Sequence, residues 1–214
     1  MTKPSNREYN IAMKRNYDNL MTEQMQASAK GTSVLLHSCC APCSSACLER
    51  LKDFLDITLL YYNPNIDDEI EYQKRKQEQI RFLQETGWGS FLDCDHEAEL
   101  FLKMAQGLEQ EPERGKRCYK CYELRLRKTA EVAKEKGFAF FGTTLTLSPY
   151  KNAEWLNEIG ETLEKEYGVT YLYSDFKKKG GYHRSIELSN MYHLYRQDFC
   201  GCKFSKRNNE TENQ

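Results

Sequence analysis

Seven of the nine cysteines in this chain of 214 residues stand in three short motifs. Cys39-Cys40-Ala41-Pro42-Cys43 follows a short apolar run. Cys118-Tyr119-Lys120-Cys121 lies mid-chain, and Cys200-Gly201-Cys202 lies near the end. Thiolates are soft ligands that select zinc, copper(I) or iron–sulfur. A structural zinc or a [4Fe–4S] cluster uses about four of them. The surplus leaves up to three thiols for a second metal or for redox chemistry. Adjacent side chains are expected to diverge, so Cys39 and Cys40 suit two metal centres better than one tetrahedral ion. Each motif alone has a plainer reading. The C-x-x-C is also a thioredoxin-like thiol pair, the C-x-C half of a zinc knuckle, and Cys121 a core thiol. Three such motifs in one chain favour metal. Cys47 and Cys94 belong to no motif; Cys47 reads as core, and Cys94, between Asp93 and Asp95, stays open.

The length suffices for one domain with a sizeable core. Mean hydropathy is -0.80, and no apolar run approaches the roughly 20 residues of a membrane span. The segment 1–7 lacks the apolar core of a signal peptide. A cytoplasmic protein with no membrane partner is expected. In a reducing compartment, cysteines so spaced read as metal-binding or catalytic rather than as a disulfide framework. Formal net charge is -1, yet basic residues gather near the cysteines. Arg114, Lys116, Arg117, Lys120, Arg125, Arg127 and Lys128 surround one pair; Lys177, Lys178, Lys179 and Arg184 precede the other, and Lys203, Lys206 and Arg207 follow it. Such clusters suit a polyanionic substrate. They read equally as solvated helix faces balanced by glutamates, as with Glu123 and Arg127 at i, i+4 spacing.

The elements that must position these residues alternate in type. Strands are expected over 32–37, 57–62, about 91–92, 138–142 and 169–173. Helices are expected from about Ser44 to Phe54, from an Asp67 cap to Thr86 with Ile70, Ile80 and Leu83 facing in, and over about 97–106. Further helices carry Cys118 and Cys121 as far as Gly137, then span 152–167 and about 185–194. Residues 143–150 read as a hydroxyl-rich loop, and 175–182 as a basic loop. This pattern predicts an α/β fold, a mostly parallel sheet with helices on both faces. Residues 1–30 would be a peripheral helical segment with Ile11, Met13, Tyr17, Leu20 and Met21 on one stripe. Residues 31–202 would be a single catalytic domain with the metal site, and 203–214 a flexible tail. Strand ends would bring Cys39, Cys40, Asn63, Asp95 and Thr143 to the edge where open α/β sheets bind ligands. The chain has neither G-x-G-x-x-G nor G-x-x-x-x-G-K-[ST], so neither NAD nor ATP is expected as a tightly bound cofactor.

Six segments occur in a telling order: Cys39-Cys40-Ala-Pro-Cys43, Tyr61-Tyr-Asn-Pro-Asn-Ile66, Arg117-Cys-Tyr-Lys-Cys-Tyr-Glu-Leu-Arg125, Thr143-Thr-Leu-Thr-Leu-Ser-Pro-Tyr-Lys-Asn152, Gly180-Gly-Tyr-His-Arg-Ser185 and Tyr195-Arg-Gln-Asp-Phe-Cys-Gly-Cys202. The ordered set resembles epoxyqueuosine reductases of the QueH type over about residues 32–202. The resemblance implies a fold related to the adenine-nucleotide α-hydrolase-like (HUP) enzymes. It implies reduction of epoxyqueuosine to queuosine at the wobble base of a tRNA, with electrons from a donor the sequence does not name. It implies a [4Fe–4S] cluster beside an additional mononuclear iron. Cys118, Cys121, Cys200 and Cys202 would then serve mainly the cluster, and Cys39, Cys40 and Cys43 the second iron, or both centres. Some members carry Asp where Cys43 stands.

On position alone Asp95, Tyr182 and His183 are candidate proton donors for that reaction; each reads also as a surface or loop residue making ordinary hydrogen bonds, the favoured reading for His183. Asn63, Thr143, Thr144, Thr146 and Ser148 are candidates to hold substrate hydroxyls, although the hydroxyl run would equally cap the helix beginning near Asn152. Arg117, Arg125, Lys151, Arg184 and Arg196 are candidates for phosphate, and Tyr61, Tyr62 and Tyr182 for stacking on splayed anticodon bases. Core packing is the commoner role for such tyrosines. Two other readings compete: a zinc-stabilised RNA-binding module without catalysis, and a metal-free thiol oxidoreductase with low-pKa cysteines.

Overall fold

The computed structural model describes residues 15–205. Five strands form one sheet: β1 (Thr32–His37), β2 (Leu55–Tyr61), β3 (Ser90–Asp93), β4 (Phe140–Thr143) and β5 (Thr170–Tyr171). Their order is β3-β2-β1-β4-β5, and every pairing is parallel. The α/β class expected from the alternation is the class observed. β1 and β2 read as apolar runs because both faces are covered. Val34, Leu36, Ile57 and Leu59 face α2 (Ala41–Leu51), α3 (Glu69–Thr86) and α7 (Gly181–Met191). Leu35, Leu60 and Phe141 face α5 (Lys116–Lys136) and α6 (Ala153–Tyr167). The short α4 (Ala98–Ala105) lies before α5 and packs on it through Phe101. Among the described residues no helix is long and apolar enough to cross a membrane.

The strand order reverses between β1 and β4. Chain β1-β2-β3 builds outward on one side, and β4-β5 on the other. The crevice beyond their carboxyl ends is where such sheets bind ligands. It is bounded by Cys39–Cys43 after β1 and by the 3-10 turn Thr144–Leu147 after β4.

Several boundaries differ from expectation. α2 begins at Ala41, three residues early, because Pro42 in its first turn has φ fixed for a helix. Cys43 therefore sits on the helix. Asp68, not Asp67, caps α3, accepting from the backbone of Ile70 and Glu71. Ile70 is 83% exposed, while Tyr72, Arg75, Gln79 and Phe82 face in. The basic loop shortens, since α7 already starts at Gly181. The first helix, α1 (Tyr17–Ala27), is docked: Met21 and Met25 enter the core, and Gln24 bonds Tyr171 and Tyr173. Lys203–Ser205 forms a 3-10 turn rather than free tail. The positions of Ile11 and Met13, and residues 206–214, lie outside the described residues.

Gly160 on α6 marks the tightest helix–sheet approach. A Cβ there would lie 2.3 Å from the ring of Tyr171, which is fully buried and cannot swing aside. Alanine normally gains up to about 1 kcal/mol over glycine inside a helix. Overpacking a dense core costs about 1–3 kcal/mol and wins here. Gly160→Ala is expected to lower Tm by about 2–10 °C on a thermal melt, against a rise if the site were open.

Candidate metal centre and its pocket

The turn out of β1 is held from three sides. Ser38 and Ser44 both donate to Gln79 Oε1, each at 2.9 Å, and Asn63 Nδ2 donates to Ser38 O at 2.8 Å. On this fixed turn the ligand atoms of Cys39, Cys40 and Cys43 all lie within 4.8 Å of one another. The Cys39 and Cys40 sulfurs are 3.6 Å apart. The expected divergence of the two does not occur, because the chain changes from strand to helix at this point and turns both inward. Three convergent sulfurs fit one soft metal ion.

The other thiols come from α5 and the C-terminal strap. Cys118 and Cys121 lie on the first turns of α5, with Cys118 Sγ accepting from the Arg114 amide at 3.2 Å. Cys121 packs with Cys202 and Phe101. Arg75, buried on α3, clamps the strap: Nη1 donates to Cys200 O at 3.2 Å, Nη2 to Phe199 O at 3.3 Å, and Nε to Glu71 at 2.6 Å. Between the two cysteines Gly201 has φ +108°, and a Cβ would lie 2.7 Å from Ile66. A side chain there is both strained and blocked. Among the described residues these four sulfurs do not converge as tightly as the first three. A [4Fe–4S] cluster takes four thiolates, each on a different iron, and so asks for no single point of convergence.

Two cations join the groups. Arg125 is buried, donating to Asn63 Oδ1 at 3.0 Å, His37 Nε2 at 3.1 Å and Cys121 Sγ at 3.8 Å. Burial opposes its charge, but the charge that Cys121, Cys39 and Cys200 carry as thiolates, the form in which they bind metal, outweighs that and raises its pKa. Burial, then Arg125, pushes His37 down to about 3, so the imidazole stays neutral and accepts. Lys151 Nζ lies 2.9 Å from Cys200 Sγ; burial again opposes its charge, and a thiolate at Cys200 outweighs that, raising the pKa. Gln197 on the strap donates to Cys40 Sγ at 2.8 Å, so the strap touches both thiol groups.

The family model described as "QueH: Epoxyqueuosine reductase QueH" matches residues 34–208. A protein of Staphylococcus epidermidis named epoxyqueuosine reductase QueH is 43% identical over 202 residues, covering 90% of this chain and 85% of its own length. A protein of the same name from Streptococcus pyogenes is 41% identical over 206 residues, covering 92% and 81%. A third, from Thermotoga maritima, is 34% identical over 177 residues, covering 81% and 90%. The chain belongs to the epoxyqueuosine reductase QueH family.

Membership makes the chain a reductase, and it disposes of the noncatalytic zinc module. At Cys118 and Cys121, the pair a metal-free thiol oxidoreductase would use, burial argues against that chemistry. All nine are free, and burial raises the pKa of Cys118 and Cys202 and pushes Cys121 up to about 11. A thiol nucleophile needs the opposite shift. Cys40 is likewise pushed up to about 12, chiefly by burial. Cys39 alone is held well below the usual thiol range, by hydrogen bonds from Cys40 and Cys43. Protonated buried thiols suit metal ligands, which release their protons when metal binds.

A pocket of about 240 Å³ opens onto both groups, and its wall includes Cys39, Cys43 and Cys200. Arg125, Ser148, Lys151, Tyr182 and Arg196 also line it. Other candidates from the sequence lie elsewhere. Asn63 and Thr143 are buried beneath the pocket, where Asn63 accepts from Arg125 and Thr143 bonds the His37 ring at 3.2 Å. Thr144 is buried with its hydroxyl unpartnered, and Thr146 bonds Ser174. Asp95 lines a separate cleft with Asp93, Cys94 and His96. The His183 side chain is 79% exposed and pairs with Glu187 on its own helix. Arg184 is tied to Glu49 and Glu187. Arg117 is buried and donates to the carbonyls of Leu108, Glu109 and Glu111, so it braces the loop before α5. Tyr61 and Tyr62 are buried and have no face to offer a base. Sequence reasoning missed Arg75, a polar residue in no motif, and Gln197, which stands in the segment 195–202 but was given no role there.

Proposed function

We propose that this chain reduces epoxyqueuosine to queuosine at the wobble position of tRNA. Cys118, Cys121, Cys200 and Cys202 would hold a [4Fe–4S] cluster, and Cys39, Cys40 and Cys43 a mononuclear iron. The observation that carries this reading is the shared wall: sulfurs of both groups line one pocket at the point where the strand order reverses. Epoxide to alkene takes two electrons and two protons and releases water, the electrons coming from an external donor. When bound, the cluster supplies electrons singly and the iron a Lewis acid for the epoxide oxygen.

The chain's own residues do the rest. Leu145, Leu147 and Pro42 line the pocket and exclude water. Arg125 and Lys151 offset thiolate charge in a low-dielectric wall, where such charge is otherwise costly. Ser148 orients the diol of the substrate. Tyr182, at the wall, holds the proton destined for the departing oxygen; Asp95 and His183 lie outside the pocket and take no part. Arg196 at the mouth meets phosphate, with its guanidinium braced by Ser189 at 3.0 Å.

The test is anaerobic incubation with epoxyqueuosine-containing tRNA and a strong reductant, followed by nucleoside mass spectrometry. Product lighter by one oxygen atom is expected. Tyr182→Phe is expected to slow turnover by about 10²-fold or more, the usual scale for a positioned proton donor. Binding should weaken as salt rises, and Arg196→Ala should flatten that dependence by about one contact. Iron-loaded protein that leaves the epoxide intact would overturn the reading.

A further inference from the structure

A second pocket lies on the flank of α5, around the corner from the thiols. Leu108, Lys116, Tyr119, Lys120 and Trp155 line it, and its volume is about 370 Å³. The helix divides its labour by spacing. Cys118 and Cys121 serve the metal side, while Lys116, Tyr119 and Lys120, at i, i+3 and i+4, share the neighbouring face. Tyr119 and Trp155 meet edge to face, centroids 5.4 Å apart and planes at 78°, making a two-walled apolar corner. Asn152 caps α6 by accepting from the Trp155 amide at 3.2 Å, so the second wall is fixed. That same turn carries Lys151, which contacts Cys200. The two pockets thus share α5 and the segment 151–155. Arg114 lies 5.6 Å over the ring of Tyr150, which lines the first pocket.

An apolar corner of rigid aromatic faces with cations on its rim has the chemistry of a base-stacking site on single-stranded nucleic acid. The rim is cationic on both sides. Lys120 is balanced by Glu123 at 2.8 Å, whereas among the described residues the Lys116 ammonium makes no ion pair, Glu111 accepting from its backbone amide at 3.0 Å. A wholly apolar partner would leave Lys116 facing it without a counter-charge. A nucleotide offers a flat base to the corner and a phosphate to the lysine.

Resting on the tRNA reading above, we propose that this corner stacks an unpaired nucleobase adjoining the wobble nucleotide, with Lys116 on its phosphate. The occupant is an RNA loop nucleotide. The site holds the loop open while the modified base enters the pocket lined by Cys39 and Cys200.

The chain has two tryptophans. Trp88 lies on the far side of the sheet against Phe82 and Tyr192. Trp88→Phe in the full, anaerobically purified chain leaves Trp155 as sole reporter. Titration with an anticodon stem-loop RNA is expected to quench its emission. An abasic nucleotide on one side of the wobble position should remove the quench. Tyr119→Leu should raise Kd about 5- to 100-fold, Tyr119→Phe should restore it, and Lys116→Ala should reduce the salt slope by about one. RNA that binds Tyr119→Leu as tightly as the parent, with Trp155 emission unmoved, overturns the stacking site and leaves the reductase reading intact. A parent protein that binds no stem-loop at all removes the tRNA reading, and the stacking site with it.

Discussion

Anaerobically purified Cys121→Ser protein is expected to lose most of its acid-labile sulfide and about four irons, while Cys43→Ser keeps its sulfide and loses about one iron. Serine matches cysteine in shape but offers a hard oxygen that soft metals disfavour. Cys121 is buried between Phe101 and Cys202, where nothing else can take its place. Its free thiol is pushed up to about 11 by burial, so only metal binding keeps it ionised. Cys43 belongs to the other group, within 4.8 Å of the Cys39 and Cys40 sulfurs. Losing it removes one ligand of three and spares the strap. Loss of several kcal/mol of Lewis-acid stabilisation amounts to about a thousandfold in rate, so both variants should be nearly inactive for different reasons. Parallel loss of iron and sulfide in both would mean that the seven sulfurs serve one centre.

The second large effect is expected at Arg125. Its guanidinium reaches His37, Asn63 and Cys121 from one buried position. Arg125→Met fills similar volume without the charge, leaving Asn63 Oδ1 without its donor and the thiolates unscreened, while His37 Nε2 keeps only the Tyr62 carbonyl at 3.0 Å. Removing one partner from such a buried group costs about 3–5 kcal/mol. For a chain of this length that is a fall in Tm of about 6–20 °C. Arg125→Lys should recover little, because one ammonium cannot span three partners in the plane that the fork matches. Thermal melts of the two variants decide it. A Tm for Arg125→Met within 2 °C of the parent, about the shift a 1 kcal/mol change produces, would show that the charge is dispensable.

The fold was legible where packing follows period. β1 and β2 read as buried runs because both faces are covered, and Cys47 reads as core and is fully buried. The sequence misled where function had replaced apolar residues. α3 presents Arg75 and Gln79 inward to hold the strap and the Cys39 turn, so its hydrophobic period is broken and Ile70 was assigned to the wrong face. The site was half legible. Cysteine spacing announced the metal, but spacing along the chain says nothing of which sulfurs converge. Asp95 and His183 stand close in sequence to site motifs, yet a separate cleft and an exposed helix face carry them away. Tyr61 and Tyr62 end a strand whose both faces are covered, whereas Tyr119 and Trp155 need tertiary packing to form a corner at all.

The most direct test of the central claim is iron, zinc and acid-labile sulfide content per chain of the anaerobically purified parent protein, read with its visible spectrum. Two thiolate groups holding one cluster and one further iron predict about five irons, about four sulfides and a broad band near 400 nm. Stoichiometric zinc without sulfide would contradict it.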